Sequence, residues 1–171
     1  DFAEADSVIL PGVGAAESAM RELERRDLVT SLRETNLPIL GICLGMQLFT
    51  GRSTEGLEGV SCLGLLPGTT ARIGAEGTGF DLPLPHIGWN PTMLSEDPLF
   101  QGLRRQEHFY FLHSYRVHTS PDFVIAEVEY GTPFPAAVRA GRRVAVQFHP
   151  EKSGEAGLAV LANFCRDGGP A

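Results

Sequence analysis

Apolar residues come in short runs closed by turn formers. Ser7-Val8-Ile9-Leu10 ends at Pro11-Gly12, and Pro38-Ile39-Leu40-Gly41-Ile42 leads into a cysteine. Runs of this length, bounded by glycine and proline, predict buried strands. Residues 15–35 lie between them and predict a helix. There Ala16, Ala19, Met20 and Leu23 keep the i, i+3, i+4, i+7 spacing of one helix face. The stripe then slips to Leu28, Val29 and Leu32, which predicts a break near Arg26-Asp27. Leu44 to Thr50 reads as a short helix. Strand, helix, strand at this spacing is a βαβ unit with parallel strands.

The middle of the chain, residues 51–107, is rich in Gly, Pro and Thr, with strand-like pieces at Thr70–Ile73 and Leu84–Ile87. Phe109–Val117, Val124–Tyr130, Ala136–Arg139 and Val144–Phe148 read as further strands. Gly141 suits a hairpin turn between the last two. Ser153 suits the N-cap of a final helix whose inner face is Leu158, Leu161, Ala162 and Cys165, stopped by Gly168-Gly169. The pattern predicts a single α/β domain over 1–171, with a mixed, mainly parallel central sheet and flanking helices.

Composition narrows the function classes. The chain has 171 residues, 43% apolar and 20% charged, with net charge −7. That acidity argues against a nucleic-acid surface, which needs a basic patch. No apolar run approaches the ~20 residues of a membrane span, and no charged-then-apolar leader opens the chain. Three cysteines, at 43, 62 and 165, form no CxxC pair. The count excludes a disulfide framework and makes a reducing cytoplasm the default. His86, His108, His113 and His118 lack zinc-type spacing, so no metal is expected.

The candidate chemistry centres on Gly41-Ile42-Cys43-Leu44-Gly45-Met46-Gln47. In a G-x-nucleophile-x-G pattern the nucleophile sits on a sharp strand-to-helix turn, and the glycines remove Cβ atoms that would clash there. A helix N-terminus favours the thiolate, and reactive cysteines so placed have pKa values of about 3.5–7.5. The alternative is a buried structural cysteine, which is how Cys62 and Cys165 read. Gln147-Phe148-His149-Pro150-Glu151 supplies a base and an orienting carboxylate. Alone these are a surface His and a helix-start Glu; beside the elbow, Cys43, His149 and Glu151 read as a triad.

Pro11-Gly12-Val13-Gly14-Ala15-Ala16-Glu17 falls one glycine short of the dinucleotide fingerprint, and Glu17 would oppose a pyrophosphate, so no cofactor is expected. In a βαβ unit this segment comes beside Cys43, where the N–H groups of Gly12, Val13 and Gly14 can hold an oxyanion. A glycine-rich turn without a role is the competing reading. Trp89 is the single Trp. With Gly88 and Asn90 in a loop, it suits core packing and an interface anchor equally.

GICLGMQ together with QFHPEKSG resembles the class I (triad) glutamine amidotransferases. PGVGAAESAM, PHIGWN and FYFLHSY resemble the glutaminase subunits of imidazole glycerol phosphate synthase within that family. The resemblance implies a flavodoxin-like fold. It implies that Cys43 attacks the glutamine amide, with His149 as acid/base and Glu151 as its partner. Gly12, Val13 and Gly14 match a mobile oxyanion strand, and Gln47, Ser114 and Tyr115 match positions that hold glutamine. Trp89, Asn90 and Tyr110 match the region facing a (β/α)8-barrel cyclase, which uses the ammonia in histidine biosynthesis. A catalytically dead docking fragment and a stand-alone γ-glutamyl hydrolase are the alternatives. Family members open with a strand–helix unit carrying a DYGxGN-type motif. The sequence lacks that unit, so the resemblance implies an N-terminally incomplete domain whose first strand has lost a neighbour.

Overall fold

The computed structural model describes Phe2, residues 4–74 and residues 83–167. The expected stop at Gly168-Gly169 lies outside the described residues. Strand β1 (Val8–Leu10) leads to helices α1 (Ala16–Arg25) and α2 (Leu28–Glu34), then β2 (Ile39–Ile42) and α3 (Leu44–Phe49). The break between α1 and α2 falls at Asp27, a non-glycine residue with φ 56°. The next strands are β3 (Arg52–Ser53), β4 (Val60–Ser61), β5 (Thr69–Arg72), β6 (His86–Leu94), β7 (Gln106–His113) and β8 (Tyr115–His118). Then come β9 (Val124–Tyr130), β10 (Thr132–Ala140), β11 (Arg143–Val146) and the final helix α4 (Gly154–Asp167).

The main sheet has the order β1-β2-β11-β10-β9-β6-β7. β2 pairs parallel with both β1 and β11, whereas the four other pairings are antiparallel. The architecture is the expected mixed α/β sheet, but its parallel part is small. β9, β10 and β11 follow one another through tight turns, and Gly141 (φ 60°) closes the last of these. Such turns can join only antiparallel neighbours. A second sheet, β4-β3-β5-β8, was not legible in the sequence, because two of its strands are only two residues long.

Helices cover both faces around β2, which is why all four of its residues are buried. Period-two alternation sorts the side chains. Leu40, Val144, Val146 and Phe148 pack with Val160 and Phe164 of α4. Ile39 and Ala145 pack instead with Ala16, Met20 and Leu32 of α1 and α2. Among the described residues, β1 is the outer strand of the sheet, and its Ile9 is half-exposed.

Four local expectations change. The strand placed at Leu84–Ile87 runs from His86 to Leu94, so Trp89 is on a strand, not in a loop. The run Phe109–Val117 is two strands in two different sheets, divided at Ser114, whose carbonyl accepts from Ile73 N–H at 3.0 Å. The inner face of α4 is Gly157, Val160, Asn163 and Phe164, while Leu158, Ala162 and Cys165 are exposed. Hydropathy misplaced that face because a glycine and an asparagine carry half of it. A Cβ on Gly157 would lie 2.0 Å from the Pro150 carbonyl oxygen, and Asn163 donates to the carbonyls of Leu99 and Gln101. Cys165 is therefore no buried structural cysteine, whereas Cys62 is buried.

Candidate active site

The nucleophile position is built by close packing. β2 runs straight into Cys43, whose φ of 53° and ψ of −105° lie outside the regions open to a residue with a Cβ. Such strain costs about 1–3 kcal/mol and persists only where the surroundings enforce it. Here they do. A Cβ on Gly45 would sit 1.9 Å from the Leu10 carbonyl oxygen, and one on Gly41 would sit 2.9 Å from the Gly45 carbonyl carbon. The two glycines let α3 press against β1 and β2, and Cys43 takes up the bend.

His149 follows β11, the parallel neighbour of β2. Its backbone N–H donates to the Tyr110 carbonyl at 2.9 Å, and its own carbonyl accepts from Ser153 Oγ at 2.6 Å. Ser153 Oγ also accepts from Tyr110 N–H at 3.0 Å, so the residue predicted as a helix cap ties the His149 loop to β7. His149 Nδ1 lies 2.8 Å from Glu151 Oε1. The carboxylate only accepts, so Nδ1 carries a proton, and in the neutral ring the lone pair is at Nε2. Nε2 is buried without a hydrogen-bond partner among the described residues. An imidazole held this way is set to take a proton from a thiol.

Cys43 and His149 line one pocket of about 240 Å³, with Val13 and Gly14 at one side and Gln47 and the 112–115 backbone at another. A larger groove of about 700 Å³ runs along residues 94–105, but no cysteine or histidine lines it. The chemistry therefore belongs to the smaller pocket. Its wall forms where the chain switches sheets at Ser114, which is how Leu112, His113, Ser114 and Tyr115 come together there.

Two features of the thiol differ from expectation. Burial pushes the Cys43 pKa up to about 11, against the smaller opposing effect of the Leu44 backbone hydrogen bond. The thiol is 5% exposed and α3 has only six residues, so desolvation outweighs the helix-terminus effect. The second difference concerns the oxyanion segment. Gly12–Gly14 does come beside Cys43, but the Gly12 carbonyl accepts from Leu44 N–H at 3.3 Å. Leu44 follows Cys43, the candidate nucleophile, and an N–H at that position is one that suits an oxyanion. In this conformation a carbonyl occupies it. Val13 is 78% exposed and Gly14 has φ 91°, so the backbone on either side is unpacked or glycine-permissive.

Sequence reasoning missed Glu55 and His113 in the pocket lining, and Gln147 buried behind Cys43. Gln147 Nε2 approaches Cys43 Sγ at 3.7 Å, and its Oε1 accepts from Gln47 Nε2 at 3.3 Å. Gln47 Nε2 also donates to the Tyr115 carbonyl at 3.2 Å. Glu55 lines the pocket while accepting Ala16 N–H at 2.6 Å, and its carboxylate suits an ammonium. His113 lines the same pocket. Gln147 was legible as the first residue of the His149 motif; Glu55 and His113 had no signal of their own.

Trp89 is 53% exposed and stands edge-on to Tyr110, ring centroids 6.1 Å apart, which rules out core packing. Ile87 and Met93 are exposed on the same strand face, and Lys152 Nζ lies 5.8 Å above the Tyr110 ring. Among the described residues no helix is long and apolar enough to cross a membrane, and no cluster of His, Cys, Asp and Glu could hold a metal ion.

The family model for glutamine amidotransferase class-I matches residues 3–167. The chain is 47% identical over 165 residues to imidazole glycerol phosphate synthase subunit HisH 1 of Vibrio vulnificus, covering 94% of this chain and 78% of that one. It is 45% identical over 161 residues to the HisH subunit of Salmonella typhimurium, covering 94% and 79%. The fold is shared with a putative GMP synthase protein from Thermoplasma acidophilum, at TM-score 0.69 and 18% identity, over 98% of this chain and 74% of that one. Matched across almost its whole length, the chain belongs to the class I glutamine amidotransferase family, alongside the HisH subunits of imidazole glycerol phosphate synthase.

Proposed function

We propose that this chain hydrolyses glutamine to glutamate and ammonia and delivers the ammonia to a (β/α)8-barrel cyclase partner. The partner would form imidazole glycerol phosphate and aminoimidazole carboxamide ribotide in histidine biosynthesis. One observation carries the reading: a strained Cys43 and a His149 with an unpartnered Nε2 line the same pocket. The relatives' names, subunits of imidazole glycerol phosphate synthase, support a synthase partner, and the barrel and the pathway come from the family resemblance.

Because the thiol is protonated at neutral pH, attack begins with transfer of its proton to His149 Nε2. The sulfur then bonds to the side-chain amide carbon of glutamine, leaving an oxyanion. His149 returns the proton to the departing nitrogen, which leaves as ammonia. Water, deprotonated by the same ring, resolves the thioester to glutamate and restores the thiol. Glu151 holds the tautomer throughout. Gln47, Ser114 and Tyr115 shape the substrate wall, and Glu55 takes the substrate ammonium.

The oxyanion segment makes this a gated reaction. While the Gly12 carbonyl occupies Leu44 N–H, the oxyanion would meet a second negative dipole. Rotating the Gly12–Val13 peptide withdraws the carbonyl and turns the Val13 N–H inward. Each donor so gained is worth about 3–4 kcal/mol in the transition state. The partner docks on the exposed face around Trp89 and Tyr110 and triggers that rotation when its own site is filled; Asn90, expected on that face, turns its side chain to the other side of β6, onto the buried His86.

The test is glutamate release from glutamine, with and without a barrel cyclase and its nucleotide ligand. A rate that rises only with the liganded partner supports the proposal, and Cys43→Ala should abolish it while leaving docking intact. Equal turnover of γ-glutamyl peptides without a partner would replace it with a stand-alone hydrolase. No rate in either condition from a folded chain would leave a docking module.

A further inference from the structure

His86 and His113 are cross-strand register partners on β6 and β7, 1% and 5% exposed. The proposed reaction uses neither imidazole. His86 lies between two rings, Tyr130 at 4.0 Å and Phe111 at 5.0 Å, both within 18° of parallel. The stack fixes the plane of the ring. Its Nδ1 then meets His113 Nε2 at 3.1 Å, and its Nε2 lies 2.8 Å from the Asn90 side-chain amide, whose Oδ1 faces the ring. His113 Nδ1 meets the Tyr115 carbonyl at 2.7 Å. That carbonyl also accepts from Gln47, which reaches Gln147 and, through it, Cys43 Sγ. A continuous chain of polar contacts thus runs from Asn90, beside the exposed Trp89, to the nucleophile.

Donor counting gives the chain a direction. A carbonyl only accepts, so His113 Nδ1 carries a proton. Burial pushes the His113 pKa down to about 3, so at pH 7 its Nε2 bears a lone pair and needs a donor. His86 Nδ1–H is that donor. Burial lowers the His86 pKa too, so a neutral His86 has an acceptor at Nε2 and needs the Asn90 NH₂ group against it. That requires the Asn90 amide turned end for end, Nδ2 in the place of Oδ1; the two atoms are alike in shape, and the donor count decides between them. Neutral histidine ordinarily has either nitrogen free to carry the proton; here the network leaves one choice at each ring.

We propose that His86, oriented by Asn90, is a positioning residue of the glutamine pocket: its Nδ1–H holds His113 as the Nδ1–H tautomer that clamps the Tyr115 carbonyl and so fixes the 113–115 wall. The proposal rests on the glutaminase reading for its substrate, but the tautomer can be measured without one. It also makes β6, whose outer face carries Trp89, and the pocket wall parts of one hydrogen-bonded unit.

Two measurements test it. Imidazole ¹⁵N spectra of the wild-type chain at pH 7 should show both rings neutral and protonated at Nδ1. A His113 protonated at Nε2 would overturn the proposal, whatever the enzyme's activity. The second measurement compares His86→Leu with His86→Asn in the glutaminase assay with liganded partner. Asn places an N–H near the position of the lost Nδ1, whereas Leu fills space without a donor. His86→Leu should raise KM for glutamine by about three- to tenfold, the worth of one buried hydrogen bond, with kcat within about twofold. His86→Asn should restore KM to near wild type. Equal defects in both variants would mean that the ring only fills volume, and would overturn the proposal. If His86→Leu does not fold, the wild-type spectrum alone decides. A wild-type chain without glutaminase activity would sink the function proposed above, and the tautomer would still be read from the same sample.

Discussion

Gly45→Ala is the sharpest test of how the elbow is built. The added Cβ would lie 1.9 Å from the Leu10 carbonyl oxygen, whereas ordinary carbon–oxygen contacts lie near ~3.3 Å. The clashing atom is backbone in a strand, so it cannot rotate away. The start of α3 must therefore retreat from β1 by more than about 1 Å. Overpacking of this kind costs about 1–3 kcal/mol. At about 2–4 °C per kcal/mol for a domain of this size, Tm should fall by roughly 2–12 °C. Cys43 moves with α3, and a displacement of about 1 Å at a reacting group costs on the order of 10²-fold in rate. The assays are thermal unfolding by circular dichroism and glutamate release with the liganded partner. Gly51→Ala is the control: its nearest neighbour would be the Gly68 carbonyl oxygen at 3.8 Å, an ordinary contact, so its Tm should shift little. If Gly45→Ala matched Gly51→Ala in both assays, the close-packing account of the elbow would be wrong.

Three further outcomes are expected. Glu151→Gln replaces a carboxylate that can only accept with a neutral amide that can also donate, so the His149 tautomer is no longer fixed and kcat should fall about 10²–10⁴-fold with little change in Tm, since the carboxylate is half-exposed; an unchanged kcat would remove Glu151 from the triad. With the Cys43 pKa raised to about 11 by burial, iodoacetamide labelling of this thiol in the isolated chain should climb roughly tenfold per pH unit between pH 7 and 10, because only the thiolate reacts; peptide mass spectrometry showing a plateau below pH 8 would refute the raised value. Asp97→Asn keeps one acceptor oxygen but turns the other of the two 2.6 Å contacts from Arg139 into a donor–donor clash and leaves a mostly buried guanidinium without its counter-charge, which should cost about 3–5 kcal/mol in denaturant unfolding while glutaminase at low temperature persists.

Local rules were enough for many of the elements and for the grouping of the chemistry. The helix face Ala16–Met20, the break at Asp27, strand β9 and the Gly141 turn were all readable, because periodicity and turn preference act over a few residues. So was the closeness of Cys43 and His149, which share a pocket, and of His149 and Glu151, which share a 2.8 Å contact, since each sits in a motif whose spacing encodes a turn. Three things waited for the assembled fold. Sheet order did, because which strand lies beside β9 is set by packing across the chain rather than by the strand's own residues. So did the switch of sheets at Ser114, since an unbroken apolar alternation reads the same whether its two halves pair with one partner or two. The electrostatic state of the site came last. The helix start predicts a reactive thiolate, but desolvation depends on everything that surrounds the sulfur, and here it wins. The same holds for the Gly12 carbonyl on Leu44 N–H: a glycine-rich segment is permitted either peptide orientation, and only the assembled neighbours choose between them.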